Sequence, residues 1–219
     1  MYVYGGPSSP TATNQWDSGN GTWFRMLSQK GYIVVTVDGR GTEPRGEAFR
    51  KATYMQLGKY EAIDQIAAAK YLGSLPYVNK NRIGIFGWSF GGYLSSLCLA
   101  KGNDVFKMAI AVAPVTNWKW YDTIYTERYM RTPAENLRGY EDNSPINCAG
   151  DIKGKYLLVH GLGDDNVHFQ HAAEMSRVLM EKNVQFEQLF YPNKNHGIYG
   201  GLTRLHLYTK MTDFILKNL

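Results

Sequence analysis

The sequence predicts an α/β fold: a mostly parallel, twisted sheet with helices on both faces. Three observations carry that expectation. Short β-branched runs alternate with stretches of helical periodicity along the 219 residues, and strands joined by helices pair in parallel through right-handed crossovers. Several helical stretches stop at a glycine or proline, as at Gly31 after "MLSQK" and Pro76 after "YLGSL". In "IGIFGWSFGGYLSSLCLA", residues 83–100, one apolar run ends at a serine between glycines and another begins at once.

Taken in order, strands are expected near 1–4, 33–38 ("IVVTVD"), 83–87, 108–112, 156–160 ("YLLVH") and 185–190. Each is a β-branched or aliphatic run of strand length. Helices fit near 22–29, 59–74, 90–100, 168–182 and 202–216. Residues 113–150 break this rhythm with "WKWYDTIYTERYM" and a polar, proline-containing tail. Such an insertion is expected to cap the C-terminal edge of the sheet, where ligands sit in folds of this kind. The first strand already starts at residue 1, which leaves one side of the sheet raw. The chain is therefore expected to begin inside a domain.

Composition narrows the function classes. Apolar residues make up 44% and charged residues 20%, the balance of a globular protein with one sizeable core. No run reaches the roughly 18–20 apolar residues of a membrane span, and "MYVYGGP" lacks the basic start of a signal peptide. The net charge of +5 and pI near 9.0 would suit a nucleic-acid partner. However, Lys and Arg are scattered, and their densest group, "NKNR" at 79–82, falls in an expected turn. Cys98 and Cys148 form neither a metal spacing nor a disulfide framework, and Cys98 reads as a buried thiol.

A strand, then Gly-x-Ser-x-Gly, then a helix is the nucleophile elbow. Ser89 would stand on a strained turn, with Gly87, Gly91 and Gly92 letting strand and helix approach. The helix starting near Phe90 would aim its free N–H groups at the serine. A serine needs a base and the base an orienting carboxylate, which this arrangement supplies in the order Ser, Asp or Glu, His. "GLGDDNVHF" after one strand offers Asp164 and Asp165, of which Asp164 is nearer the strand end. Asp165 also reads as a solvated loop charge or a helix cap. "YPNKNHGIYGG" after the last strand offers His196 on a loop of its own. His160 reads as buried structure, His168 and His171 open the helix after the acid loop, and His206 lies on the last helix. For the oxyanion, the Phe90 N–H follows from the elbow, and Tyr4 in "YVYGGP" reads equally as a phenolic donor or a packed ring.

The segments "VYGGP", "DGRGT", "GWSFGG", "AVAPVTNW", "WYDTIYTERYM", "HGLGDDNVHFQ" and "NHGIYGG" resemble the prolyl oligopeptidase family of serine peptidases. Trp88, "YTERYM" and "DDNVHFQ" resemble its dipeptidyl peptidase IV branch, and the likeness runs over essentially the whole chain. The resemblance implies an α/β-hydrolase fold lacking its first strands, with residues 1–219 as a catalytic domain without the family's β-propeller. It implies removal of N-terminal dipeptides whose second residue is proline or alanine, without a metal or organic cofactor. Carried onto this chain, it implies a Ser89, Asp164 and His196 triad and an oxyanion site of Tyr4 and Phe90. It also implies a proline-sized pocket of Val115, Trp118, Tyr121, Tyr125 and Val167, with Asn166 on the substrate's backbone carbonyl. Aromatic walls suit a rigid ring that needs no polar partner. The family holds the substrate amine with two propeller glutamates, which no segment of this chain matches.

The resemblance further implies a periplasmic or extracellular protein and pairing through the C-terminal helix. Leu205, Tyr208, Met211, Phe214 and Ile215 form a broad apolar stripe there, which also suits covering the sheet. Two other readings use the same residues: a general esterase, and a folded but inactive module lacking half of its substrate site.

Overall fold

The computed structural model describes residues 1–16 and 20–219. Five parallel strands form one sheet in sequential order: β1 (Tyr2–Val3), β2 (Gly84–Trp88), β3 (Met108–Val112), β4 (Lys155–Gly161) and β5 (Glu187–Tyr191). Helices α1 (Gly21–Gln29), α2 (Glu47–Lys51) and α3 (Lys59–Gly73) lie between β1 and β2. Then α4 (Phe90–Lys101) joins β2 to β3, α8 (Gln170–Glu181) joins β4 to β5, and α9 (Thr203–Asn218) ends the chain.

Strand alternation divides the core in two. Met108, Ile110 and Val112 of β3, with Leu157 and Val159 of β4, pack on Trp23 and Leu27 of α1 and Leu207, Met211 and Phe214 of α9. Their neighbours Ala109, Ala111, Tyr156 and Leu158 face Leu94 and Leu97 of α4 and Met175 and Leu179 of α8. β3 has no exposed residue, so its unbroken "MAIAV" is what a strand covered on both sides needs. Burying one such aliphatic side chain contributes about 1.5–3 kcal/mol, which sets the scale of each contact. On α9 the expected stripe splits. Met211, Phe214 and Ile215 cover the sheet, Tyr208 meets Trp23 edge-on, and Leu205 is 65% exposed.

The expected strand at 33–38 is a correction. Only Thr36 pairs, in a single bridge to Tyr2, whose N–H donates to the Val35 carbonyl at 2.8 Å. The two-residue β1 offers almost no ladder on one side, and among the described residues no strand lies on the other. β-Branched residues alone do not make a strand without rungs.

Residues 113–150 are an insertion as expected, but only their first half caps the sheet edge. A 3-10 turn (Trp118–Trp120) and α5 (Thr123–Met130) place aromatic rings there. After α6 (Leu137–Asp142), α7 (Pro145–Cys148) and a second 3-10 turn pack between α4 and α8, as part of a helical face. No helix among the described residues is long and apolar enough to cross a membrane.

Candidate active site

Ser89 stands between β2 and α4 with φ 59° and ψ −119°. A non-glycine residue held there stores about 1–3 kcal/mol of strain, which its surroundings must offset. Two backbone bonds do so: Ser89 N–H donates to the Val112 carbonyl at 2.8 Å, and Tyr93 N–H to the Ser89 carbonyl at 3.0 Å. The flanking glycines are dictated by space. A Cβ on Gly87 would stand 2.3 Å from the Gly91 carbonyl, and one on Gly91 would stand 2.1 Å from the Val3 oxygen. Phe90 is the first residue of α4, so its N–H has no intrahelical acceptor.

The turn after β4 shapes the acid. Asp164 is 6% exposed, and its Oδ1 accepts the N–H groups of Asn166 at 3.0 Å and Val167 at 2.9 Å. Its Oδ2 meets His196 Nδ1 at 2.8 Å. Burial pushes this carboxyl up, but contacts with His160 and His196 outweigh it and hold the group well below the usual carboxylate range. An ionised carboxylate only accepts, so the shared proton sits on His196 Nδ1 and leaves Nε2 as an acceptor. His196 is half-buried on the loop after β5, and two contacts fix that loop. Trp88 Nε1, next to the serine, donates to the His196 carbonyl at 2.9 Å. Gly163 N–H donates to the Lys194 carbonyl at 2.9 Å. The neighbouring Asp165 is an exposed loop charge.

Tyr4 follows β1 at the same edge, its ring 6.1 Å from Phe90. Burial, then the nearby Tyr129, raise its phenol above the ordinary value, so it remains a donor at neutral pH. Among the described residues its hydroxyl makes no hydrogen bond. Aromatic contacts run on from Phe90. Trp118 lies 5.5 Å from it, 5.7 Å from Tyr121 edge-on, and 5.8 Å from Tyr125 in a stack. Val115, Trp118 and Val167 are buried, while Tyr121 and Tyr125 are half-buried. Tyr121 also donates to Asn166 Oδ1 at 2.8 Å, beside a 550 Å³ cavity lined by both, Trp120, Asp122, Asp165 and His168. A second cavity, of 570 Å³, is lined by Tyr2, Trp23, Leu27 and Leu219 and by none of the predicted site residues.

Two neighbours of the candidate site escaped the sequence reading. Tyr129 packs edge-on against Tyr125 at 4.9 Å, and its place four residues on along α5 was the available signal. His160 was read as buried structure. It is fully buried, but its Nε2 also lies 3.3 Å from Asp164 Oδ2. His171 is fully buried as well, with Nδ1 accepting the Thr116 N–H at 3.0 Å, and His206 is exposed with Nδ1 at 2.9 Å from the Tyr191 hydroxyl.

Comparison with known proteins places this geometry in a family. The chain is 42% identical over 219 residues to prolyl endopeptidase FAP of Mus musculus, covering 98% of this chain and 28% of that protein. It is 42% identical over 216 residues to dipeptidyl peptidase 4 of Felis catus, covering 97% of this chain and again 28% of the relative. The crystal structure of Porphyromonas gingivalis dipeptidyl peptidase 4 superposes with a TM-score of 0.97 at 49% identity, over 100% of this chain and 31% of that one. The chain thus spans under a third of the length of these relatives. It has their α/β-hydrolase fold, and residues 20–219 match the model of the prolyl oligopeptidase family, of which this chain is a member.

Proposed function

We propose that residues 1–219 form the catalytic region of a serine peptidase that releases N-terminal dipeptides with proline or alanine in second place. The observation that carries the reading is the strained Ser89 between β2 and α4, its neighbour Trp88 tied to the loop that sets His196 on Asp164. In this reading His196 Nε2 takes the Ser89 proton as Oγ attacks the scissile carbonyl, then gives it to the leaving amine. Asp164 keeps the ring in the Nδ1–H form and stabilises the imidazolium. The Phe90 N–H and the Tyr4 hydroxyl are the oxyanion donors, in a site where fixed dipoles act with little reorganisation. Water then resolves the acyl-enzyme by the same steps in reverse.

Specificity would come from the Trp118, Tyr121 and Tyr125 rings with Val115 and Val167, whose aromatic and aliphatic faces suit the rigid ring of proline. Asn166 would hold the substrate's backbone carbonyl. The family resemblance extends the reading to a periplasmic or extracellular setting. A Gly-Pro anilide and a short-chain nitrophenyl ester, offered to the chain and its Ser89→Ala variant, separate the alternatives. Faster Gly-Pro hydrolysis, abolished in the variant, supports the reading. Ester hydrolysis alone would make the chain a general esterase.

A further inference from the structure

Below the acid turn lies a histidine that the triad chemistry does not use. His160 sits in β4, fully buried, and its ring meets Phe169 edge-on at 5.9 Å. Its Nε2 is 2.7 Å from the Val167 carbonyl and 3.3 Å from Asp164 Oδ2. A carbonyl and an ionised carboxylate only accept, so the proton of His160 must be on Nε2. The contacts run as a chain from β4 to the imidazole of His196, and the 3.3 Å approach of His160 to Asp164 closes a ring within it. His160 donates to the Val167 carbonyl, the Val167 N–H donates to Asp164 Oδ1, and Asp164 Oδ2 holds His196. The turn 164–167 is thereby gripped at its far end by a rigid strand, and Asp164 cannot rotate away from His196 without breaking the bond at Val167.

We propose that His160 is a positioning residue: its Nε2–H fixes the 164–167 turn and so sets both the Asp164 carboxylate on His196 and the Val167 side chain in the candidate pocket. The role rests on the proposed triad, and it differs from mere packing in requiring a donor at one point in space. Only the far ring nitrogen reaches Val167, while Nδ1 has no hydrogen-bond partner among the described residues. Nothing in this role needs His160 to change protonation.

The test compares three variants of the chain: His160→Gln, whose amide N–H falls near the position of Nε2; His160→Asn, whose shorter amide stops short of Val167; and His160→Phe, which keeps a ring without a donor. Two readouts are taken, the rate of Ser89 phosphonylation by a fluorophosphonate and the ring 15N shifts of His196, which report its tautomer without needing turnover. Gln is expected to label within about threefold of the wild type, and Asn and Phe about 10²-fold more slowly, the size of effect a misplacement of an ångström produces. In the 15N spectrum, the Nδ1–H form should persist in Gln and give way to a mixture in Asn and Phe. Equal rates for Gln and Asn with an unchanged tautomer would overturn the positioning role, and the Gln–Asn pair decides if Phe does not fold. Failure of the proposed function looks different: the wild type itself would carry no adduct on Ser89, and the 15N comparison would still decide the role of His160.

Discussion

At the scale of single residues, the proposed chemistry rests on groups whose surroundings constrain them closely. Ser89 is strained because a short β2–α4 turn leaves it no other backbone, and Asp164 is held ionised by two imidazoles against its own burial. Tyr4 is the most exposed to test. Tyr4→Phe keeps the contact with Phe90 and removes only the hydroxyl, so its cost reads oxyanion stabilisation directly. A loss on the order of 10²–10³ in kcat, with KM little changed, is expected; a loss of about threefold or less would make Tyr4 a packing residue. Much of the candidate site was legible in advance, because Ser89, the Asp164–Asp165 pair and His196 each follow a strand in the order Ser, Asp, His. The family resemblance chose Asp164, which is the aspartate that meets His196. The His160 contact was not legible. A buried histidine at a strand end gives no sign of the direction its ring takes, which depends on how the next turn folds back.

At the scale of elements, the elbow is an argument about distance. The Gly91 Cα packs against the Val3 carbonyl so closely that even alanine displaces backbone, with no flexible side chain available to yield. Gly91→Ala is therefore expected to destabilise the fold by about 3 kcal/mol or more, read from chemical denaturation, at the upper end for an overpacked site. A loss below about 1 kcal/mol would mean that β1 and α4 separate easily. Elements with a strong amphipathic period, such as α1 and α8, were plain in the sequence, while α4 was marked by its unbroken apolar run after the elbow. The short helices of 113–150 were not, being too short for a period to develop. Their caps were nonetheless present, since Asp122 accepts the Tyr125 N–H and Asn136 accepts the Gly139 N–H. The 33–38 segment erred in the other direction. Its residues favour a strand, but pairing depends on neighbours that local sequence does not describe.

At the scale of the whole molecule, one buried group makes stability depend on pH. Glu61, 2% exposed at the start of α3, accepts the Gly58 N–H at 2.9 Å with Oε2, while Oε1 is buried without a partner. Burial pushes its carboxyl from 4.5 up to about 8. A raised folded value means that the fold prefers the protonated acid. Its contribution is complete below about pH 4.5 and falls by about 1.4 kcal/mol per pH unit until about pH 8. Glu61→Gln, which can still accept from Gly58, should flatten this decline and be more stable than the wild type at pH 8. Parallel melting curves of the two proteins from pH 5 to about pH 9 would refute the assignment.

The central claim concerns Ser89, His196 and Asp164, and covalent labelling tests it most directly. The folded chain is treated with a fluorophosphonate and the adduct is located by mass spectrometry, alongside His196→Ala. The account predicts one adduct, on Ser89, that is absent from the variant. A folded chain without an adduct, or labelling of Ser89 undiminished by His196→Ala, would contradict it.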